Sequence, residues 1–218
     1  MSVQSIRRRT AASTVAEELR DALLSGMLPP GTRLPVGDVA DRVGADAHVV
    51  RTALRELERD GLVVHSLHRG VEVPRITQDE LRDLYVARRV YETAGLEAML
   101  RRRPVDVSWL CAAVERMGEA AIADDGRAVV EADMAFHLAI VAAAGSRRLT
   151  RSAQAAVMEL RLILSVADRA ADDMPALVAD HQHLVEVIRG GHLAEATSTL
   201  YDHLARGEVL ARAVTSGV

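Results

Sequence analysis

The chain contains no lysine; all 27 of its basic residues are arginine. Aromatics are nearly as scarce, with Trp109 and Phe136 the single examples of their types in 218 residues. Cores without aromatics must be built from Leu, Val, Ile and Ala. Ala and Leu favour helix, so an aromatic-laced β-sandwich is a poor fit. A single cysteine, Cys111, permits no internal disulfide and fits a reducing compartment. No apolar run approaches the roughly 20 residues of a membrane span. Arg7, Arg8 and Arg9 are followed by no long apolar segment of the kind a secretory signal carries. These absences predict a soluble, cytoplasmic protein with no membrane partner.

What is present is helical periodicity with punctuation. Up to residue 75 there are 11 Arg against 10 acids, a net of +1, and beyond it 16 Arg against 21 acids, a net of −5. The front segment is thus the relatively basic one, which weakly favours nucleic-acid contact there. Its apolar spacing predicts a helix over about Ser13–Ser25, a turn at Leu28-Pro29-Pro30-Gly31, and a short helix over Val36–Val43 closed by Gly44. Asp46 is placed to cap a third helix whose buried stripe is Val50, Ala53, Leu54 and Leu57. Two β-like runs follow, Leu62–His65 and Val71–Val73, with Ser66–Gly70 as the turn. That order is the order of a winged helix-turn-helix.

Pro74 to Ile76 reads as a linker. Thr77 and Glu80 then form a capping box that opens a long helix. Helices are expected over about 78–101, 108–124, 127–144, 147–170, 175–190 and 192–214. The predicted fold is mainly α: residues 1–75 a winged helix-turn-helix with a small β-hairpin wing, residues 76–218 an all-helical bundle of about six helices.

Four polar residues fall on apolar stripes of that bundle. Asp133 and His137 are four apart on one helix and share a face. His181 lies on the stripe Leu177, Leu184, Ile188, and His203 on the stripe Ala196, Leu200, Leu210. Buried polar groups without partners cost about 1–3 kcal/mol each, and a shared divalent ion would satisfy all four. Neutral imidazoles with one carboxylate suit zinc, nickel or another first-row ion. Spacing alone leaves open the alternative of separate, hydrogen-bonded or surface histidines. His183 and His192 fall outside the inward set.

Two resemblances sharpen these readings. The runs Pro30-Gly31-Thr32-Arg33-Leu34, Val39-Ala40-Asp41-Arg42-Val43-Gly44 and Val50-Arg51-Thr52-Ala53-Leu54-Arg55-Glu56-Leu57, with Arg69-Gly70-Val71-Glu72-Val73 behind them, resemble the GntR family of bacterial regulators. The resemblance implies that Arg51 contacts operator DNA, with Arg55 a turn further on and Arg33, Arg69 and the wing turn at Gly70 near phosphates. Arginine suits this because its planar fork pairs bidentately with guanine or phosphate. At the start of the recognition helix the chain departs from the family: Ala47 stands where members have a base-reading Arg, and Asp46 puts negative charge on the DNA side. His48 is either a replacement donor or a solvated side chain.

Asp133-x-x-x-His137, His181 and His203, together with Leu84-x-x-x-Arg88-x-x-x-Glu92, resemble the FCD ligand-binding domain of the FadR-type branch. That resemblance implies a metal held by Asp133, His137, His181 and His203, and a small organic acid effector paired with Arg88. An ion pair between Arg88 and Glu92 is the competing role for this arginine. Arg161 and Ser146 are further pocket candidates. The resemblance also implies a homodimer that acts as a repressor on a pseudo-palindromic operator, with no catalysis. A metal sensor, a metal-dependent hydrolase or lyase, and a scaffold with a vestigial pocket are the rivals. No clear general base and no Gly-x-Ser-x-Gly motif supports an enzyme.

Overall fold

In the computed structural model, residues 10–67, 69–164 and 174–216 are described. Arg7–Arg9, part of the wing turn at residue 68, the expected helical extension over 165–170 and the expected break at Asp173 lie outside them. The chain divides into two compact units, Met1–Arg75 and Ile76–Val218.

In the first unit, helix α1 (Ala11–Leu24) starts two residues earlier than expected, because the Thr10 hydroxyl accepts from the Ser13 amide at 3.1 Å and caps it. Helix α2 (Val36–Val43) stops at Gly44, whose φ of 63° closes the helix in the left-handed region that glycine adopts without a Cβ penalty. Helix α3 (Ala47–Arg59) begins after Asp46, which has extended backbone but makes no side-chain capping bond, so its expected capping role is not realised. Leu23, Val50, Leu54, Leu57 and Leu62 are buried between these helices. Arg20 reaches from α1 to Asp60 at 2.6 Å, pinning the far end of α3.

Strands β1 (Val64–Ser66) and β2 (Gly70–Glu72) form an antiparallel hairpin with Val64 opposite Glu72 and Ser66 opposite Gly70. The hairpin starts later than expected: Leu62 and Val63 are apolar because they fill the core, with relative exposures of 0% and 1%, not because they pair in a strand. Gly70, at φ 75°, makes the turn.

The second unit holds six helices among the described residues: α4 (Gln78–Leu100), α5 (Ser108–Ile122), α6 (Gly126–Ala142), α7 (Arg147–Leu164), α8 (Met174–Gly190) and α9 (Leu193–Ser216). The capping box at α4 is complete, with Thr77 accepting from the Glu80 amide and Glu80 accepting from the Thr77 amide. One continuous apolar core joins all six helices through residues such as Leu96, Leu110, Phe136, Leu160, Leu184 and Leu200. Helix α4 crosses α6 so closely that a Cβ on Gly95 would lie 1.9 Å from the carbonyl oxygen of Ile140. Leu210, expected to face inward, is 51% exposed. None of the described helices is long and apolar enough to cross a membrane.

Candidate metal centre and DNA-reading face

Three helices deliver the histidines. Helix α6 carries Asp133 and His137 on its buried stripe, α8 carries His181, and α9 carries His203; all four side chains are buried. One ring nitrogen from each histidine lies within 4.8 Å of the other two. The Nε2 atoms of His137 and His203 are 3.2 Å apart, and Asp133 Oδ1 lies 2.9 Å from His181 Nε2 and 3.7 Å from His137 Nε2. Phe136 meets the His181 ring edge-on at 4.8 Å between centroids, which fixes that ring's tilt.

The opposite nitrogens decide what these atoms can do. His137 Nδ1 lies 2.7 Å from Glu92 Oε2, His181 Nδ1 lies 2.8 Å from the Leu177 carbonyl, and His203 Nδ1 lies 2.6 Å from Asp180 Oδ2. A carbonyl oxygen can only accept, as can an ionised carboxylate. Burial opposes the charge of Glu92, but His137 and Arg88 outweigh it and hold its pKa below the usual carboxylate range. Asp180 is also held low, by hydrogen bonds from His203 and Arg206 against some desolvation. Burial is the main reason that His137 is pushed down to about 4, so the ring is neutral near pH 7. Each Nδ1 therefore carries a hydrogen, which leaves the three Nε2 atoms turned toward one another, and in the neutral His137 ring that Nε2 is a lone pair.

The result is a cluster of three Nε2 atoms and one carboxylate crowded together on the inside of the bundle. His181 Nε2 is buried and touches Asp133 without the alignment of a hydrogen bond. Burial opposes positive charge on His181, yet Asp133 raises its pKa. Burial likewise opposes the charge of Asp133, and His181, His137 and Arg88 together bring its pKa far below the usual range. The arrangement attracts a cation at Nε2. Two donors each about 2.0–2.1 Å from one ion stand about 2.9–3.3 Å apart at tetrahedral or square angles. The separations of 3.2 Å and 2.9 Å match that spacing. The residues present fit a divalent first-row metal.

A cavity of about 280 Å³ opens onto this cluster, lined in part by Tyr85, Arg88, Asp133, His137, Asp180 and His203. Arg88 makes the ion pair with Glu92 and also lines the cavity. Its Nε donates to Glu92 Oε1 at 3.1 Å, while its Nη2, buried, has no hydrogen-bond partner among the described residues. Burial opposes its charge, but Glu92, Tyr85 and Asp133 keep its pKa raised. The other two pocket candidates stand apart from the described lining. Arg161 is drawn to Glu131 and is not among the described lining residues, and Ser146 is exposed, its hydroxyl accepting from the Leu149 amide at 3.3 Å to cap α7. The residues that sequence reasoning missed are Glu92 as the partner of His137, and Asp180 with Arg206 behind His203. Asp180 adjoins His181, but its own partner lies 23 residues away on another helix.

On the first unit, His48, Arg51 and Arg55 are exposed along one face of α3, while Ala47 is half-buried at its start. Arg33 is exposed on the strand-like segment that bridges Glu72. Arg33, Arg51 and Arg55 make no ion pair among the described residues. Arg69, beside Gly70 at the wing turn, stands 3.6 Å from Glu72 and is 60% exposed.

A winged helix followed by a six-helix bundle with a buried His cluster defines a DNA-binding regulator with a helical partner domain. Residues 11–73 match "Bacterial regulatory proteins, gntR family" and residues 83–206 match the FCD domain, and the chain belongs to the FCD-type branch of the GntR family of transcriptional regulators. It is 26% identical over 204 residues to the "Probable D-xylose utilization operon transcriptional repressor" of Paenarthrobacter nicotinovorans, covering 91% of this chain and 89% of that protein. A GntR transcriptional regulator from Rhodococcus sp. RHA1 superposes with a TM-score of 0.80 at 29% identity, over 93% of this chain and 97% of that one. E. coli McbR/YncC, at 17% identity and a TM-score of 0.74 over 93% of this chain and 97% of its own, shares the fold. These relatives are DNA-binding transcriptional regulators rather than enzymes.

Proposed function

We propose that this protein is a metabolite-responsive repressor whose FCD domain holds a divalent metal ion through Asp133, His137, His181 and His203. The carrying observation is the convergence of three imidazole nitrogens and one carboxylate inside the bundle, with the opposite nitrogen of each ring held by an oxygen acceptor. When bound, the ion supplies positive charge and open coordination positions to an anionic group. The unpartnered Nη2 of Arg88 supplies a directed donor on the same cavity, so a small organic acid is the effector. Zinc and nickel suit three imidazoles and a carboxylate.

On this reading α3 enters the major groove, with Arg51 and His48 toward base edges and Arg33 and Arg69 toward phosphates. A homodimer in the bacterial cytoplasm would present two such helices to a pseudo-palindrome. The name of the Paenarthrobacter relative supports repression as the outcome. Effector shifts operator affinity only through its different affinities for the DNA-competent and incompetent arrangements, and typical couplings of about 1–3 kcal/mol give 5–150-fold changes. Residues Pro74–Ile76 join the two units and are where such a change would be transmitted.

The test is operator binding by fluorescence anisotropy with metal fixed and acids varied, and again after chelation. Acid-dependent affinity at fixed metal supports the proposal. A response to the ion alone, with no acid effective, identifies a metal sensor instead, and a chain that retains no metal after purification and reconstitution defeats the centre.

A further inference from the structure

The cavity beside the cluster is unevenly furnished. At about 280 Å³ it lies at the small end of ligand pockets. Its charged groups are largely committed: Asp133 to His181, and Asp180 to both His203 and Arg206. Most of the remaining wall is aliphatic, including Met134, Leu160, Leu164, Leu177 and Leu204. Among the described lining residues there is no Ser, Thr, Asn or Gln, the side chains that read sugar hydroxyls. Tyr85 brings a hydroxyl, but its ring lies under Arg88 at 5.1 Å from the guanidinium carbon, and burial is the main reason its pKa is pushed up to about 12. It stays a neutral phenol.

Charge narrows the ligand further. Ionised Asp133 and Glu92 oppose Arg88 and a divalent ion, which leaves one positive charge around the cluster. Asp180 and Arg206 cancel each other. One carboxylate balances the site, and a second would meet either aliphatic wall, where an unpaired buried charge is strongly disfavoured, or Arg206, whose guanidinium Asp180 already holds.

We infer that the effector is a monocarboxylate with an apolar body, an aliphatic or branched acid, rather than a polyhydroxy acid or a dicarboxylate. This rests on the reading above that the cluster holds a divalent ion. The carboxylate meets Arg88 and the ion while the hydrocarbon lies against the Leu and Met wall. Each methylene moved from water onto that wall raises affinity by about fourfold. Each hydroxyl buried there without a partner lowers it by about 5–150-fold.

The experiment is isothermal titration calorimetry on the zinc-loaded full chain with acetate, butanoate and hexanoate, and with gluconate and adipate as six-carbon comparisons. The expected result is affinity rising about fourfold per methylene until the cavity is full, a heat-capacity change growing more negative with chain length, and hexanoate more than 100-fold tighter than gluconate. Leu177→Ala, which leaves the backbone carbonyl on His181 in place, should shift the preference toward longer acids. Gluconate or adipate binding as tightly as hexanoate overturns the inference. So does binding independent of chain length, although the ion-and-carboxylate reading then stands. Zinc retention with no acid bound at all overturns the inference and the organic-acid reading together, and failure to retain zinc overturns the centre itself.

Discussion

Glu92 is shared between Arg88 and His137: its Oε1 accepts from the Arg88 Nε at 3.1 Å and its Oε2 from the His137 Nδ1 at 2.7 Å. One carboxylate on α4 thereby orients a cavity-facing guanidinium and an imidazole on α6. Its burial is tolerable because both oxygens are occupied by donors.

Glu92→Gln should weaken metal binding by about 10–100-fold, the usual consequence of removing a carboxylate behind a ligating histidine. Asp180→Asn should act in the same direction on His203, from a less buried position. Competition against a chelating dye measures both. Unchanged metal affinity in both variants would show that these carboxylates do not position the ligands.

Removing the ion should destabilise the FCD domain. A ligand present at 1,000 times its dissociation constant stabilises the native state by about 4.1 kcal/mol. At roughly 2–4 °C per kcal/mol for a chain of this size, chelation should lower the melting temperature by about 8–16 °C. Differential scanning calorimetry with and without chelator tests this, and His137→Ala should melt at the same temperature in either condition.

Gly95→Ala sets two effects against each other. Alanine gains about 1 kcal/mol of helix propensity over glycine. The added Cβ, however, would lie 1.9 Å from Ile140 O and 2.9 Å from the Val141 Cα, backbone atoms that cannot swing aside. The clash should win by about 1–3 kcal/mol or more, lowering the melting temperature, whereas the same substitution at Gly37, whose Cβ would meet nothing within 4 Å, should not.

On the DNA side, Arg51→Ala should reduce affinity for a duplex obtained by in vitro selection by about 1–3 kcal/mol and relax preference at one base pair. Arg69→Ala should weaken all sequences alike and lower the salt slope by about one. Its effect should be the smaller because Arg69 gives up its contact with Glu72 to reach a phosphate. Anisotropy titrations at several salt concentrations separate the two behaviours.

The sequence carried the helix order and the inward placing of Asp133, His137, His181 and His203 because both rest on local rules. The Thr77–Glu80 box and the Asp133–His137 spacing are read along one helix. Opposite partners are not. Glu92 and His137 are 45 residues apart, and Arg161 meets Glu131 across 30 residues. Periodicity tells which face a residue occupies and not which neighbour stands across from it. Leu210 illustrates the other limit: it keeps the inward phase of α9, but it lies on the wall of the cavity and is 51% exposed. Leu62 and Val63 were apolar for burial, which made a strand appear to begin too early.

Because Arg88 and His137 hang from the two oxygens of a single side chain, an acid at one and an ion at the other, as proposed, would not be loaded in isolation. An acid that draws on the guanidinium alters how firmly the imidazole is held, and the reverse follows by the symmetry of linked equilibria. Whatever factor the acid gains from an occupied centre, the ion gains from the acid. On the proposed function, a growing pool of metabolite would thus raise the equilibrium occupancy of the ion.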